Sequence, residues 1–549
     1  MSENKNVSQH ADWSLRELDR RRFLQTLGGA GLGVAAGGLL AACGAGSGGS
    51  TAGIVHTTAG AGLAASTPKP GGRLRVANAG NGTSESFNPA LVASPIDFLH
   101  ANSVFDVMVR PAPNYGREPG LVMQWNPSKD ATSYELKLRP GVTWHDGKPF
   151  GADDMIYTLR FIGQPKNLGN AAVANVRLDQ LKKIDELTVK VPLKLPIADL
   201  AAYFLDLNAS YVVQDGATDF TNPIGTGPYK LESFTPGQQA VLSANRDYWD
   251  SPRPYPDELE IISIDDSTAR VNALLGGRID ICQGLTFADA RANLDGGQYT
   301  VVVGAPGEAY TIYMRCDSGP FKDVRVREAM KLIVDRQQMI DDTLSGFGTV
   351  GNDIMGHGAR YFDHGLPQHS QDIERAKSLL KSAGAADLKV TLNTAPVLPG
   401  FVESATVFAQ QAAAAGVQVE VKQEQVSSYF NPAISFLKQT FAQDIWAAPS
   451  LNGYYSQALL TNSPINETHW HSASFDRLFY KAQGATNEQE AQELWSKLQR
   501  IQWKEGGNIA WCYYQSTDGV SSAVRGYGGP GTGWMYGNDD LRVWNWGLG

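Results

Sequence analysis

The 549-residue chain lacks a long apolar run, a basic cluster outside its N-terminus and the short motifs of common hydrolases. Its weakly apolar stretch 26–42 has 17 residues, six of them glycine, which is too few and too weakly apolar for a transmembrane helix. The net charge of −9 argues against a nucleic-acid-binding face. Neither G-x-S-x-G nor H-E-x-x-H is present, so the chain is predicted not to be an enzyme. A hydrolase that uses a pair of catalytic carboxylates stays an open alternative, because 56 Asp and Glu residues supply many chance pairs.

Metal-ligand patterns are equally scarce. His469 and His471 flank Trp470 and could bind a metal in principle, but no Cys ligand or H-E-x-x-H spacing supports a site. We therefore predict neither a protein-bound metal nor a cofactor.

What the chain does have is length and aromatic side chains. A length of 549 residues suggests roughly three or four domain-sized units. Apolar residues make up 42% and charged residues 19%, which is typical of a soluble globular protein. The 12 Trp, 20 Tyr and 20 Phe fill cores and also suit the aromatic walls of a ligand cleft.

The N-terminus has the pattern of an export signal. Arg20 and Arg21, followed after one residue by Phe23 and Leu24, match the twin-arginine pattern. The weakly apolar run that follows ends in Leu-Ala-Ala before Cys43, which resembles a bacterial lipobox. We predict cleavage before Cys43 and lipidation of its thiol, which gives a two-chain anchor to the membrane. An uncleaved anchor or a disordered tail is the alternative.

Residues 44–71 consist almost throughout of Gly, Ala, Ser, Thr and Pro, which predicts a disordered tether between the lipid and the folded part. If Cys43 is lipidated, three cysteines remain: Cys282, Cys316 and Cys512. A disulfide between Cys282 and Cys316 stays open, with isolated buried thiols as the favoured interpretation.

Hydrophobic periodicity predicts a mixed α/β chain. Alternation predicts strands at residues 72–78, 134–139 and 187–191. Three-four spacing predicts helices, among them 96–107, 152–162, a continuous helix at 324–344, 372–383, and one or two helices over 475–503.

Several segments, in this order, resemble family 5 of the extracellular solute-binding proteins, the dipeptide-, oligopeptide- and nickel-binding components of bacterial ABC importers. The resemblance spans roughly residues 72 to 525. It is carried by residues 133–154 (SYELKLRPGVTWHDGKPFGADD), 222–231 (NPIGTGPYKL), 245–249 (NRDYW), 319–329 (GPFKDVRVREA) with Asp335 and Arg336, 376–384, and Phe475 with Asp476.

The resemblance implies an α/β, two-lobed clamp like the type II, cluster C periplasmic binding proteins, with a subdomain inserted in the first lobe. Lobe I would comprise 72–110, 224–305 and 518–549, the inserted subdomain 111–223, and lobe II 306–517. The ligand would be trapped between the lobes by a hinge motion.

In the family, an acidic residue three positions after a lobe II Trp usually pairs with the free amine of a peptide. Here Trp446 is followed at that position by Pro449, and Asp444 lies on the other side of Trp446. The resemblance implies that the ligand is a peptide or a peptide-like solute. Because Pro449 replaces the expected acid, a blocked or modified peptide, an oligosaccharide, a small aromatic compound and a metal chelate are the alternatives.

The cleft candidates implied by the resemblance are Ser94, Tyr310, Trp446, Asn452 and Tyr455, each with core packing or loop filling as its alternative. The expected partners are an ABC permease and ATPase complex and, through the lipid, the membrane. Nucleic acid is not an expected partner. The protein is expected to be a monomer facing the periplasm or the cell exterior. A ligand receptor that feeds a signalling partner is the rival function.

Overall fold

The computed structural model describes residues 66–549 except 81, 93, 113–115, 206–209, 295–296, 431–434, 436, 464 and 529–541. The predicted export signal and lipobox (Arg20, Arg21, Phe23, Leu24 and Cys43) and most of the predicted tether lie outside the described residues. Of the helices in the described part, none has both the length and the apolar character needed to cross a membrane.

The first part of the described chain alternates strands and short helices. In chain order its elements are β1 (Arg73–Asn78), α1 (Pro95–Val104), β2 (Val109–Ala112), β3 (Gly116–Pro119), β4 (Val122–Pro127), β5 (Ser133–Leu138), α2 (Ala152–Ile162), β6 (Lys182–Asp185), β7 (Thr188–Pro192), β8 (Tyr229–Thr235), β9 (Gln239–Ala244), β10 (Glu258–Ser263), α3 (Ser267–Leu275), β11 (Ile281–Cys282), α4 (Phe287–Asn293) and β12 (Thr300–Val303).

The second part is richer in helices. Its elements are β13 (Glu308–Met314), α5 (Val324–Ile333), α6 (Arg336–Leu344), β14 (Gly348–Val350), α7 (Ile373–Ser382), β15 (Lys389–Thr394), α8 (Phe401–Ala414), β16 (Gln418–Gln423), α9 (Val426–Tyr429), β17 (Phe441–Trp446), α10 (Leu451–Ala458), α11 (Ala473–Gln483), α12 (Glu488–Glu505), β18 (Asn508–Tyr514), β19 (Thr517–Val520), β20 (Val524–Arg525) and β21 (Gly547–Leu548).

Three sheets organise the described residues. The first, in the order β12-β19-β11-β1-β10-β9-β8, and the second, in the order β14-β18-β13-β17-β15-β16, define what we call the first and second lobes. The sheet β4-β5-β7-β6 lies between α1 and β8 in the chain, and we call its unit the small-sheet subdomain. The chain passes from the first lobe to the second between β12 and β13, and returns between β18 and β19.

The cores follow this division. Leu74 of β1, Val104 of α1 and Tyr134 of β5 belong to one buried cluster, so the small sheet packs onto the first lobe. In the second lobe, one cluster joins the sheet to α5, α6 and α8, and another joins it to α10, α11 and α12. The second sheet is therefore covered by helices on both faces, as expected for a mixed α/β unit.

The predicted continuous helix at 324–344 is wrong, because the structure has two helices there. Helix α5 ends at Ile333, and α6 begins at Arg336. Asp335 adopts extended backbone angles, and its carboxylate accepts a hydrogen bond from the Gln338 amide at 3.0 Å. An aspartate in this position is a preferred N-cap, so it starts a new helix.

Motif residues from distant segments meet at Asp106, which is 3% exposed. Its carboxylate accepts hydrogen bonds from Arg110 (3.0 Å), the Tyr248 hydroxyl (3.0 Å), the Trp249 indole (2.7 Å) and the Thr226 hydroxyl (3.1 Å). A buried carboxylate needs such partners. The segments 222–231 and 245–249 therefore hold the chain just after α1, where it leaves the first lobe toward β2 and the small sheet.

Candidate functional site

The chain crosses between the two lobes in two neighbouring segments, residues 304–307 and 514–516. The Gly304 amide donates to Ser516 O at 2.9 Å, and the Gly307 amide donates to Tyr514 O at 3.3 Å. The Gln515 side chain adds a bond from Nε2 to Gly304 O at 3.0 Å. Short, paired connections of this kind let two rigid bodies rotate about one axis, so residues 304–307 and 514–516 have the geometry of a hinge.

A cavity of about 330 Å³ lies between the small-sheet subdomain and the second lobe. This volume is at the lower end of the range for small-molecule sites. From the subdomain side its wall includes Gly116, Arg117, Pro127, Ala198, Asp199, Ala202 and Leu205. From the second lobe it includes Gly358, Arg360, Tyr361, Pro449, Ser450, Leu451, Asn452, Ala482, Gln483, Ala485, Thr486, Glu488, Ala491 and Trp495.

Charged side chains form a chain across this cavity. Arg117 donates to both oxygens of Asp199 at 2.9 Å, a bidentate pair within the subdomain. Arg360 of the second lobe donates to Asp199 Oδ2 at 3.2 Å and to Glu488 Oε2. The Tyr361 hydroxyl also donates to Glu488 Oε2, at 2.9 Å. These contacts tie the subdomain to the second lobe.

The surroundings of these groups shift their pKa values. Burial lowers the pKa of Arg360, but the neighbouring Tyr361, Asp199 and Glu488 outweigh it, so the net pKa is raised. Burial, together with the hydrogen bond to Glu488, raises the pKa of Tyr361 to about 12. Arg360 therefore stays charged and Tyr361 stays neutral at physiological pH.

Gln483 at the end of α11 forms a second connection. Its Nε2 donates to the Tyr203 hydroxyl at 2.6 Å and to Asn452 Oδ1 at 3.1 Å. Its backbone oxygen accepts from the Ala198 amide at 2.8 Å. Burial raises the pKa of Tyr203 above its ordinary value. Opening the lobes on this side must therefore break both backbone and side-chain hydrogen bonds.

Asn452, a predicted cleft residue, lines the cavity, whereas Trp446 and Tyr455 lie in the core behind it. Trp446 ends β17, and its indole donates to Glu467 Oε1 at 3.0 Å. Tyr455 in α10 is fully buried, with its hydroxyl bonded to Gln502 Oε1 at 2.9 Å. Ligand contact by these three residues stays a prediction.

Ser94 and Tyr310 lie in other parts of the fold. Ser94 is the N-cap of α1, and its hydroxyl accepts from the Asp97 amide at 3.3 Å and donates to the Asp97 carboxylate at 2.6 Å. Tyr310 in β13 stacks on Tyr514, with ring centroids 5.3 Å apart, and its hydroxyl donates to Pro399 O. Both side chains are buried, and their contact with a ligand also stays a prediction.

The third position after Trp446, where the resemblance leads us to expect an acidic residue, lies on the cavity wall, but the residue there is uncharged. Pro449 lines the cavity. Asp444 is fully buried inside β17, where its Oδ1 accepts from the Ile445 amide at 2.8 Å, and its side chain is not part of the cavity wall. The carboxylates at the cavity are Asp199 and Glu488, and no motif in the sequence marks either one.

The other sequence candidates have local roles. His469 Nε2 lies 3.0 Å from Leu437 O, and in the described ranges no group of three or more His, Cys, Asp or Glu side chains could hold a metal. Cys282, Cys316 and Cys512 are free thiols. Burial raises the pKa of Cys282 to about 12 and that of Cys316 to about 11.

Comparison with known proteins agrees with this architecture. The family model for bacterial extracellular solute-binding proteins, family 5 Middle, matches residues 117–467. The di/tripeptide-binding protein 1 of Pseudomonas aeruginosa is 26% identical over 468 residues, which cover 76% of this chain and 85% of that relative. The dipeptide-binding protein of Escherichia coli is 24% identical, covering 81% and 90% respectively.

A solved structure shows the same fold. The ABC transporter substrate-binding protein CtaP from Listeria monocytogenes superposes with a TM-score of 0.76 at 21% identity, covering 87% of this chain and 100% of that one. The predicted fold class, a two-lobed type II binding-protein fold with mixed α/β sheets, is thereby confirmed.

Proposed function

Because the chain belongs to the bacterial extracellular solute-binding proteins of family 5, we propose that it captures a small peptide or peptide-like solute for an ABC importer. The protein with its bound ligand would deliver this solute to the membrane permease, and the ATPase would drive the import of the solute. The peptide-binding relatives support this substrate class. The role is binding and delivery, without chemical change of the ligand.

The observation that carries this proposal is a cavity walled by two bodies that a hinge connects. Asp199 comes from the small-sheet subdomain and Arg360 from the second lobe, while the paired crossings at 304–307 and 514–516 join the two lobes. A ligand that contacts both walls is bound fully only when they are close together, so it stabilises the closed form.

The energetics suit a reversible carrier. A micromolar dissociation constant corresponds to about 8 kcal/mol of net binding free energy after the cost of closure. The closed, loaded form then presents a surface that differs from the open form, which lets a permease distinguish the two. The five residues Ser94, Tyr310, Trp446, Asn452 and Tyr455 remain our candidates for ligand contact, with Asn452 already on the cavity wall.

We further propose that the protein is exported and lipid-anchored, with Cys43 as the lipidated residue and residues 44–71 as tether. The order of the twin-arginine pattern, the short apolar run and the lipobox supports this assignment. A carrier of this type must meet its ligand outside the cytoplasm. A monomer is sufficient for this role, because one chain supplies both walls of the cavity.

A thermal-shift screen tests the function. The panel holds di- to hexapeptides, their N-acetylated forms, oligosaccharides, and nickel with histidine. A bound ligand raises stability by about 2.7 kcal/mol at a hundredfold excess over its dissociation constant. We expect peptides to raise the melting temperature. A shift with sugars or nickel–histidine alone would replace the proposed substrate class.

Two matched variants locate the binding. Ala485 lines the cavity in the loop after α11, and Ala385 lies in the loop after α7, outside the cavity wall; both are half-buried. Ala485→Trp should abolish the ligand-induced shift, measured from the variant's own melting temperature, whereas Ala385→Trp should keep it. Equal shifts in both variants would place the ligand elsewhere.

A further inference from the structure

Phe347 lies between α6 and β14 of the second lobe, yet its side chain is buried in the core of the first lobe. It is 0% exposed, and its ring stacks on that of Phe287 at the start of α4, with ring centroids 5.9 Å apart. The other described members of its apolar cluster all belong to the first lobe: Ala77, Ala273, Leu274, Ile279, Cys282, Leu285, Ala290, Tyr299 and Val301. The second lobe thus inserts an aromatic side chain into a socket of the first.

The turn that carries Phe347 is fixed to its own lobe. Gly346 has a φ angle of +87°, a left-handed conformation that favours glycine and turns the chain at the end of α6. The Phe347 amide donates to Leu344 O at 2.9 Å. On the other side, a Cβ atom on Gly348 would lie 2.4 Å from Cys512 Sγ, so the chain there packs directly on β18. The position of Phe347 is therefore set by the second lobe.

Phe347 also lies beside the hinge. The next residue, Gly348, pairs with Tyr514 of β18, and Tyr514 O accepts the hydrogen bond from the Gly307 amide at one of the two crossings. The Tyr514 ring meets the Phe287 ring edge to face, with centroids 5.8 Å apart. In a rotation, the displacement of a side chain grows with its distance from the axis. A ring next to the axis can stay in its socket while the cavity walls move apart.

The socket restricts motions that the two crossings alone would allow. Two short backbone segments permit the lobes to twist and to slide as well as to close. Sliding would withdraw the Phe347 ring from its socket and expose apolar surface to water, which is unfavourable. Rotation about the position of the ring keeps that surface buried.

We propose that Phe347 is a positioning residue that serves as the pivot of lobe closure, with Phe287 and the apolar core of the first lobe as its socket. The pivot limits the lobes to one rotation, so the small-sheet subdomain and the second lobe meet in the same register at every closure. That register lets the Ala198 amide reach Gln483 O at 2.8 Å across the cavity. The pivot concerns the motion of the two-lobed fold and holds whichever solute is bound.

The test measures distances between the lobes by double electron–electron resonance on the full chain without ligand. Thr235 in β8 and Gln418 in β16 are exposed, and each lies in the edge strand at the end of its sheet opposite the hinge strands. Thr235→Cys and Gln418→Cys carry the spin labels. Cys43→Ala and Cys316→Ala leave two further native cysteines, both of them buried.

With Phe347 in place we expect one or two narrow distance populations. Phe347→Ala should broaden them about twofold or more, because the emptied socket lets the lobes twist and slide. Phe287→Ala removes the socket ring from the first lobe and should broaden them as well. This ring is half-buried, so Phe287→Ala keeps the test available if Phe347→Ala does not fold. Phe347→Leu fills most of the socket and should keep narrow populations.

Phe408 of α8 provides the matched control. Its ring is fully buried in a core cluster of the second lobe, away from the socket. Phe408→Ala should lower stability and keep the wild-type distances. Unchanged distance populations in Phe347→Ala or in Phe287→Ala, or equal broadening in Phe408→Ala, would refute the pivot. Because no ligand is added, these outcomes are independent of whether the protein binds peptides.

Discussion

Gly225 packs directly against Val104: a Cβ atom on Gly225 would lie 1.8 Å from the Val104 carbonyl oxygen. The neighbouring Gly227 makes the same close approach, and the imidazole of His145 lies between them, with Nε2 3.0 Å from Gly227 O and Nδ1 accepting from the Gly225 amide. Two segments that carry the family resemblance are thereby joined at the end of α1. Their role is to hold the small-sheet subdomain on the first lobe.

We therefore predict that Gly225→Ala lowers the free energy of unfolding by more than about 3 kcal/mol, because backbone must shift to admit a methyl group. Gly141 provides the control, since a Cβ there meets nothing within 4 Å and only its φ of +74° opposes substitution. Gly141→Ala should cost about 1–2 kcal/mol. Urea denaturation measures both. Equal costs would show that the contact with Val104 is not what requires glycine.

Much of the fold is local enough to predict from sequence. The sequence pattern predicts helix 152–162 with its observed bounds, because its apolar spacing and the acids of its first turn act within the helix itself. Apolar spacing does not predict the break at Asp335, because the spacing continues on both sides and only the N-cap geometry separates the two helices.

The site was harder to predict. Asp199 and Arg360 are 161 residues apart in sequence, and nothing in either neighbourhood marks a binding residue. Their meeting depends on how the small-sheet subdomain and the second lobe face each other. Trp446 and Tyr455 illustrate the converse: their segment marks them as candidates, both belong to a buried cluster here, and their contact with a ligand stays a prediction.

Acid should destabilise the protein through His100. This side chain is fully buried and stacked on Phe87, its two ring nitrogens have no hydrogen-bond partner in the described part of the chain, and burial lowers its pKa to about 3. Below about pH 6.5 the unfolded chain binds a proton that the folded chain does not, so stability falls as pH falls toward 3. Between pH 6.5 and about pH 5 the loss from this group is about 2 kcal/mol.

His100→Leu replaces the titrating imidazole by an apolar side chain of similar size. Denaturant titrations at about pH 7.5 and about pH 5 measure the free energy of unfolding. Between these two pH values, this variant should lose about 2 kcal/mol less of that free energy than the wild type does. His471→Leu, at an exposed histidine, should respond to acid as the wild type does. A variant at His100 with unchanged acid sensitivity would refute the assignment.

Truncating Trp446 should affect stability and binding separately. Trp446→Ala removes a side chain that is 5% exposed and should lower the free energy of unfolding by about 3–5 kcal/mol. Because Trp446 stays a candidate for ligand contact, we also expect binding by the folded protein to weaken by at least ~1 kcal/mol, as for the loss of an aromatic contact. Trp446→Phe keeps an aromatic ring but removes the bond to Glu467. Titration calorimetry on each variant, below its melting temperature, checks the binding; equal affinities in Trp446→Ala and wild type would place Trp446 in the scaffold alone.

Membrane attachment should depend on Cys43. Cys43→Ala removes the thiol that we propose is lipidated, so the protein should move from the membrane fraction to the soluble fraction. Ultracentrifugation followed by immunoblotting measures this. Cys316→Ala, which changes a cysteine in the folded part, should leave the distribution unchanged. Retention of Cys43→Ala on membranes at the wild-type level would contradict the anchor.

Calorimetric titration of the wild-type chain with free tripeptides tests most directly the proposal that this protein binds small peptides reversibly in a hinged clamp. We predict saturable binding of one peptide per chain, with a dissociation constant at or below about the micromolar range. Absence of binding to every free and blocked peptide, together with saturable binding of an oligosaccharide or of nickel–histidine, would contradict it.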